Sequence, residues 1–226
     1  PSDVENPNSM NNFQWFFNTT KFIVGVRHPV LWFQSFYNFR LSQGLNLPSS
    51  DTMTGGCYKS MQGVCADRSR FDAMLAMMGK TELTEEEIGT MSIVGRGKVE
   101  RDFRKKFKVG RKQPNKVFLY DAEQLHDKNE SRVLQFRSDL QRYLGSSEPL
   151  PPLIKISPNL GRGKEKIDIC ETQHSKIREE LVYIGSKASK WIREYFLQSE
   201  DVFVSSRYYF EESLRLWEID PCSNKS

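Results

Sequence analysis

At 226 residues, the chain is long enough for one domain of ordinary size with a core of its own, and we predict a single domain over residues 1–226. Hydrophobic residues make up 38% and charged residues 27% of the sequence, a balance that excludes a disordered chain. The formal net charge of +4 is too small to indicate nucleic-acid binding by itself, and no apolar stretch is long enough to span a bilayer.

The first predicted element is a short strand. Phe22–Val26 is continuous, apolar and partly β-branched, which is typical of a parallel strand that is buried on both faces. Arg27 ends the strand, and ligands bind at the carboxyl edge of open α/β sheets. Pro29 lacks an N–H and has a preset φ, which favours the first position of a helix. His28, directly before the proline, is therefore expected to be extended.

A helix is predicted from Val30 to about Ser42. It is rich in aromatic residues and Arg40 is its only charged residue, so we expect most of it to be buried. Its amino terminus attracts anions and points to the same place as Arg27. The Arg27 guanidinium and the Ser35 hydroxyl together suit a phosphate. Alternatively, Arg27 forms an ordinary salt bridge and Ser35 bonds its own helix backbone.

The middle of the chain gives weaker signals. Residues 43–66 are predicted to form a long loop, residues 71–78 a short core helix, and Thr84 the capped start of another helix. The stretch from Arg96 to Lys112 is dense in Lys and Arg. A solvated surface helix and a track for a polyanion, such as a sulfated glycan, both account for this charge.

The second half of the chain alternates between strand and helix patterns. We predict a strand at residues 116–121 and helices at residues 131–144, about 167–197 and 208–217. A Pro/Gly/Ser-rich connection is predicted at residues 146–164. Gly145 is expected to cap the first of these helices, whereas Phe203 is too isolated to indicate a strand. Strands separated by helices indicate the α/β class, with a parallel sheet and helices on both faces.

The four cysteines lack the paired spacing of zinc sites and the three histidines are scattered, so no metal site is predicted. Two disulfides are compatible with this even count, Cys57–Cys65 and Cys170–Cys222, and four free buried cysteines are the alternative. A helical hairpin would return the chain from Cys170 to Cys222. Three Asn-x-Ser/Thr triplets are potential glycosylation sites, at Asn18, Asn129 and Asn224.

The string R-H-P-V-x-x-x-x-S-F-Y-N-F, from Arg27 to Phe39, resembles the 3′-phosphate-binding motif of the sulfotransferases. Those enzymes use 3′-phosphoadenosine 5′-phosphosulfate (PAPS) as the sulfuryl donor. In that family the arginine ends a strand, a proline often follows, and the serine comes eight positions after the arginine, as Ser35 does here. The resemblance implies that Arg27 and Ser35 bind the 3′-phosphate of the donor.

Two later segments are similar to the same family in the same order. The predicted strand 116–121 is followed by Glu123-Gln124-Leu125, which resembles a Glu-x-Leu turn that enters a helix. A Pro-rich segment is then followed by a basic stretch that resembles the glycine-bearing loop closing over the nucleotide. By that resemblance, Arg162, Gly163 and Lys164 are expected to bind the cofactor.

One half of the family's donor site has no counterpart in the sequence. The family has an amino-terminal strand and a K-x-G-T-S/T loop that holds the 5′-phosphosulfate, and no such loop occurs here. We therefore expect a carboxyl-terminal fragment that is inactive by itself, with a complete but degenerate homologue as the alternative. The catalytic residue stays unknown, because the base would lie upstream of Arg27 and nothing marks Glu5 for that role.

The resemblance implies a three-layer α/β/α, P-loop NTPase-like fold without its first strand and phosphate loop. It implies transfer of a sulfuryl group from PAPS, without a metal, to a hydroxyl acceptor, a carbohydrate by preference. It also implies a glycoprotein of the Golgi lumen or secretory pathway, with any membrane anchor in the absent amino-terminal segment and no nucleic-acid partner. Two alternatives stay open: a non-catalytic module that binds a polyanionic glycan, and a fragment of a P-loop-type kinase.

Overall fold

The computed structural model describes residues 13, 16–17, 19–44, 46–47, 49–50, 115–152, 166–194 and 196–223. Several predicted features lie wholly or largely outside these residues: most of the loop 43–66, the helix 71–78, the helix start at Thr84, the basic stretch from Arg96 to Lys112, the Cys57–Cys65 pair, Glu5, and the cofactor-binding residues Arg162, Gly163 and Lys164. For these features the sequence-based expectations stay predictions.

The described strands are β1 (Phe22–Val26), β2 (Val117–Asp121) and β3 (Val202–Val204), and the described helices are α1 (Pro29–Ser42), α2 (Glu130–Leu144), α3 (Ser175–Glu194) and α4 (Arg207–Arg215). Short 3₁₀ turns cover Ala122–His126, Thr172–His174, Phe196–Gln198 and Leu216–Glu218. Pro29 occupies the start of α1 and Gly145 caps α2 with a φ of 75°, as predicted.

The three strands form one parallel sheet in the order β1-β2-β3, which confirms the α/β class. β2 pairs with β3 in a register that aligns Val117 with Val202 and Leu119 with Val204. β3 was not predicted, because a strand of three residues shows too little periodicity in the sequence. Its identity comes from its pairing with β2.

The prediction that β1 is buried on both faces is wrong. Val24 and Val26 are buried, but Ile23 between them is 49% exposed. Among the described strands β1 lies at an edge and β2 lies in the centre. The central strand is accordingly the buried one, with Val117, Phe118 and Leu119 all almost completely inaccessible.

The described residues fall into two compact units. The first comprises those within 13–24, 115–120 and 187–205. Its buried side chains include Phe118, Leu119, Ile192 and the Trp191–Phe196 ring pair, whose centroids are 5.9 Å apart. Asn115, fully buried, donates from Nδ2 to the carbonyls of Phe17 and Thr20 and so joins the start of β2 to the segment before β1.

The second unit comprises the described residues within 25–50, 121–186 and 206–223. Its core joins one side of α1 to the first half of α3 and to the segment before α3, through Val30, Phe33, Tyr37, Ile169, Ile177 and Leu181. Gly185 permits the close approach within this unit, because a Cβ there would meet the Trp217 carbonyl at 3.0 Å and Pro29 at 3.3 Å.

The long helix predicted from residue 167 begins only at Ser175. Backbone groups of the segment before α3 bond to side chains of α1. Asn38 accepts from the N–H of Ile167 and donates to its carbonyl, and Gln34 accepts from the N–H of Ile169. The Asp168 side chain accepts from Cys170 N–H, a local bond that competes with helix formation.

The prediction that most of α1 is buried is also wrong. Val30, Phe33 and Tyr37 are buried, but Trp32 is 50%, Phe36 47% and Phe39 47% exposed. Composition alone does not separate these two sides, because both are aromatic. The helix is therefore amphipathic in burial although aromatic residues occur on both of its sides.

The predicted disulfide between Cys170 and Cys222 is present, with Cα atoms 5.4 Å apart. An ion pair and two hydrogen bonds lie beside this disulfide. The Arg178 guanidinium pairs with Asp220 at 3.1 Å and donates to the carbonyls of Ile169 and Glu171. The carboxyl-terminal segment is thus bonded covalently to the segment before α3 and by an ion pair to α3 itself. No helix within the described ranges combines the length and the apolar composition needed to cross a membrane.

Candidate functional site

The two residues singled out from the sequence are in contact. Arg27 directly follows β1, and Ser35 lies on α1, which begins two residues after Arg27. The Arg27 Nη1 donates to the Ser35 hydroxyl over 2.6 Å. Ser35 is exposed, and the Arg27 side chain is 34% accessible. The strand–Arg–Pro–helix order therefore does bring a guanidinium and a hydroxyl to one accessible place.

Glu123 is the third member of this group. It follows β2 as Arg27 follows β1, and its Oε1 lies 3.7 Å from the Arg27 Nε. At this distance Arg27 and Glu123 form an ion pair and not a hydrogen bond. The Nε atom is buried and has no hydrogen-bond partner within the described part of the chain. The guanidinium thus binds Ser35 at one end and faces a half-exposed carboxylate at the other.

The placement of Glu123 follows from a capping box at the end of β2. The Asp121 carboxylate accepts from the Glu123 N–H at 2.9 Å, and the Gln124 side chain accepts from the Asp121 N–H at 3.0 Å. This reciprocal pair fixes the turn that carries Glu123. Asp121 is buried, and burial raises its pKa above the ordinary value although the Glu123 N–H, Trp217 and Ser213 bond to the carboxylate.

His28 holds the start of α1 next to Arg27. It is buried and caps α1, since its Nδ1 accepts from the N–H of Val30. Its backbone ψ of 122° is extended, as predicted for a residue before proline. Burial lowers the pKa of His28 below its ordinary value. Arg27 is therefore followed at once by a neutral, buried side chain that holds the start of α1.

An exposed aromatic row adjoins Ser35. Trp32 and Phe36 are stacked with centroids 5.2 Å apart and an interplanar angle of 8°, and the Arg40 guanidinium lies 5.8 Å from the Phe36 centroid. Helical spacing places Trp32 and Phe39 next to Ser35 on the surface of α1. The hydroxyl therefore stands between a cation and a row of accessible rings.

Arg27 and Ser35 offer hydrogen-bond donors of the kind that anions accept from. In the described ranges, no group of three or more His, Cys, Asp or Glu side chains is suited to a metal ion. Arg27 and Ser35 are brought together, whereas Arg162, Gly163 and Lys164 lie outside the described residues. The sequence did not indicate roles for Glu123, Asp121 and His28. Glu123 could have been placed near Arg27, because both follow neighbouring parallel strands and ligands bind at the carboxyl ends of such strands.

No family model, curated protein or solved structure matches this chain.

Proposed function

We propose that the protein is a sulfotransferase, an enzyme that moves a sulfuryl group from PAPS to a hydroxyl acceptor, by preference a carbohydrate. The observation that carries the proposal is the 2.6 Å contact between Arg27 and Ser35. Two residues eight apart, one after a strand and one on the following helix, form a joint set of donors. In the family that the sequence resembles, such a pair binds the 3′-phosphate of the donor nucleotide.

The physical demands of the reaction fit such a site. Sulfuryl transfer, like phosphoryl transfer, needs the donor and the acceptor in line and needs stabilisation of negative charge spread over the transferred group. Arg27 and Ser35 would hold the nucleotide by charge-assisted hydrogen bonds at a position away from the reacting sulfur. In this proposal the finer fold is the P-loop-like sulfotransferase fold, and the catalytic base stays unassigned.

The anchoring of the segment before α3 also supports the proposal. The N–H and the carbonyl of Ile167 both bond to the side chain of Asn38, and Asn38 lies on α1 one turn after Ser35. Ile167 follows Lys164 by three residues in the sequence. In this proposal Arg162, Gly163 and Lys164, which lie outside the described residues, bind the nucleotide as the resemblance implies.

The acceptor and the compartment are further parts of the proposal. The exposed Trp32–Phe36 pair supports a carbohydrate acceptor, because aromatic side chains offer large apolar contact areas and a sugar ring has an apolar C–H face. The Cys170–Cys222 disulfide supports maturation in the secretory pathway, where such bonds form and persist. A Golgi-lumenal glycoprotein fits both features.

The test is the contribution of the 3′-phosphate to nucleotide binding. Calorimetry would compare adenosine 3′,5′-bisphosphate with adenosine 5′-monophosphate, which lacks the 3′-phosphate. We expect the bisphosphate to bind more tightly, and we expect Arg27→Ala to remove about 2–4 kcal/mol of that preference. Arg142→Ala is the matched control, since it removes an exposed arginine of α2 that pairs only with nearby Asp139 among the described residues.

The outcomes separate the candidate functions. Equal affinity of wild type for the two nucleotides, or an unchanged preference in Arg27→Ala, would exclude the assigned role. A preference for ATP over the bisphosphate would favour a kinase. Affinity for a sulfated glycan without affinity for any nucleotide would favour the non-catalytic module.

A further inference from the structure

His28 lies between Arg27 and the helix that carries Ser35, and only 6% of it is exposed. Its Nδ1 accepts from the Val30 N–H at 3.2 Å, and its Nε2 lies 3.2 Å from the Ile219 carbonyl oxygen. Because a carbonyl oxygen only accepts, Nε2 must carry the proton, and Nδ1 is then free to accept. The neutral ring with its proton on Nε2 thus satisfies both contacts at once.

Charged and polar groups from several segments surround this ring. Asp121 faces it from the end of β2, and Asp220 and the carbonyls of Leu216 and Ile219 face it from the carboxyl-terminal segment. Both acids have other partners: Ser213 and Trp217 bond to Asp121, and Arg178 pairs with Asp220. The two carboxylates and the carbonyls favour the charged imidazole, but burial outweighs them and the pKa of His28 is lowered.

Protonation would break this arrangement at a defined atom. An imidazolium carries a proton on both nitrogens, so Nδ1 would no longer accept from the Val30 N–H. The added charge would also lie at the amino terminus of α1, where the helix dipole is positive. The first turn of α1 would therefore lose its cap and gain an unfavourable charge together.

Loss of this cap would affect the anion site, because Arg27 and Ser35 lie on either side of the cap in the sequence. Arg27 precedes His28, and Ser35 follows it on α1. We propose that His28 is a positioning residue that holds Arg27 and Ser35 in register only while it is neutral, so that anion binding weakens when His28 is protonated. This inference rests on the proposed anion site, and it adds a dependence on pH that the proposed function does not require.

The experiment uses the whole chain and two readouts between about pH 5 and pH 8, the range in which histidines titrate. Nuclear magnetic resonance would follow the His28 ring and the Val30 amide in the wild-type protein without ligand. Calorimetry would measure the affinity for adenosine 3′,5′-bisphosphate in wild type and in His28→Asn. Asparagine is a good N-cap that does not titrate in this range, so this variant can keep the Val30 contact at all pH values.

We expect the Val30 amide shift to follow the His28 titration. We also expect the affinity of wild type, divided by that of His28→Asn at each pH, to fall about tenfold as His28 is protonated, the loss of one helix cap. The ratio cancels the titration of the ligand phosphates. His126→Asn is the control, because His126 is exposed and its replacement should leave the pH profile as in wild type.

A Val30 amide that does not respond to the His28 titration would overturn the proposal, and so would an affinity ratio that is constant with pH. Wild type is sufficient for the amide measurement, so a poorly folded variant does not remove the test. If the bisphosphate binds at no pH, the nucleotide function fails; inorganic sulfate, whose charge is constant over this range, then serves as the probe for the same affinity ratio.

Discussion

At the scale of single residues, the proposed anion site is a cation held between a hydroxyl and a carboxylate. Ser35 accepts from Arg27 at 2.6 Å, and Glu123 lies 3.7 Å from the other end of the guanidinium. The Arg27 and Glu123 side chains are 34% and 48% accessible and Ser35 is exposed, so neither contact has to stabilise the fold strongly. Their arrangement matters because an incoming anion must share Arg27 with Glu123.

Replacement of Glu123 by Gln is expected to tighten the binding of adenosine 3′,5′-bisphosphate by about threefold to fivefold, because it removes a nearby negative charge at a solvent-exposed position. Calorimetry at low and high salt would show the gain shrinking as salt screens the interaction. Glu130→Gln, at an exposed position at the start of α2, is the control. Weaker binding in Glu123→Gln would mean that Glu123 chiefly orients Arg27.

The lowered pKa of His28 also predicts how stability depends on pH. An unfolded histidine titrates near 6.5, and the folded His28 titrates lower, so below 6.5 the unfolded state binds more protons. The His28 contribution to the free energy of unfolding is therefore full above that pH and is lost as the pH falls towards the folded pKa. Asp121 acts in the opposite sense, since its raised pKa makes its contribution fall as the pH rises above 3.8.

Urea unfolding at several pH values would test the histidine part. The stability of wild type should fall from neutral to mildly acidic pH by more than that of His28→Asn, and the difference should stop growing once His28 is protonated in the folded state. The Asp121 effect occurs in both proteins and cancels in this difference. Parallel curves for the two proteins would contradict the assignment of a lowered pKa to His28.

At the scale of elements, α1 has two aromatic sides, one in the core and one at the surface. Phe33 and Tyr37 belong to the core with Ile169 and Ile177. Trp32 and Phe36 stack on each other at the surface. Polar residues between these sides, Gln34 and Asn38, bond to the backbone of the segment before α3.

Two neighbouring substitutions should separate the sides of α1. Phe33→Ala should cost about 3–5 kcal/mol of unfolding free energy, the usual range for a buried phenylalanine. Trp32→Ala, at a half-exposed position, should cost less than about 1 kcal/mol. Urea denaturation would measure both. A large loss in Trp32→Ala would show that its ring is covered in the folded protein.

At the scale of the whole molecule, distant segments of the second unit are held by specific bonds as well as by the core. Asn38 binds Ile167, Arg178 pairs with Asp220, and Cys170 is bonded to Cys222. The last two contacts fix the segment whose Ile219 carbonyl accepts from His28. The carboxyl-terminal residues thus support the start of α1 although they are far from it in sequence.

Loss of the disulfide is expected to destabilise the protein substantially. The bonded cysteines are 52 residues apart, and a loop of that length corresponds to about 4 kcal/mol in the chain-entropy account. The variant Cys170→Ser/Cys222→Ser should show this loss in urea unfolding. A non-reducing peptide map of wild type from a secretory host provides the direct check: free thiols at both positions would contradict the bond and weaken the proposed compartment.

The sequence by itself determined the elements that have strong local signals. The apolar run of β1, Pro29 at the start of α1, and Gly145 in the left-handed conformation after α2 all follow from the conformational limits of single residues. The pairing of Arg27 with Ser35 was also foreseeable, because a strand followed directly by a helix brings both to one end. The Cys170–Cys222 bond was one of the pairings that the sequence left open.

Only the tertiary structure decided the features that depend on partners distant in sequence. β3 is defined by pairing with β2, and the segment before α3 bonds to Gln34 and Asn38 of α1, which is distant in sequence. The exposed side of α1 could not be inferred from the sequence, because aromatic residues occur on both sides of this helix. The roles of Glu123 and His28 depend on neighbours that the fold supplies, because an ion pair and a buried cap exist only when chain segments remote in sequence meet.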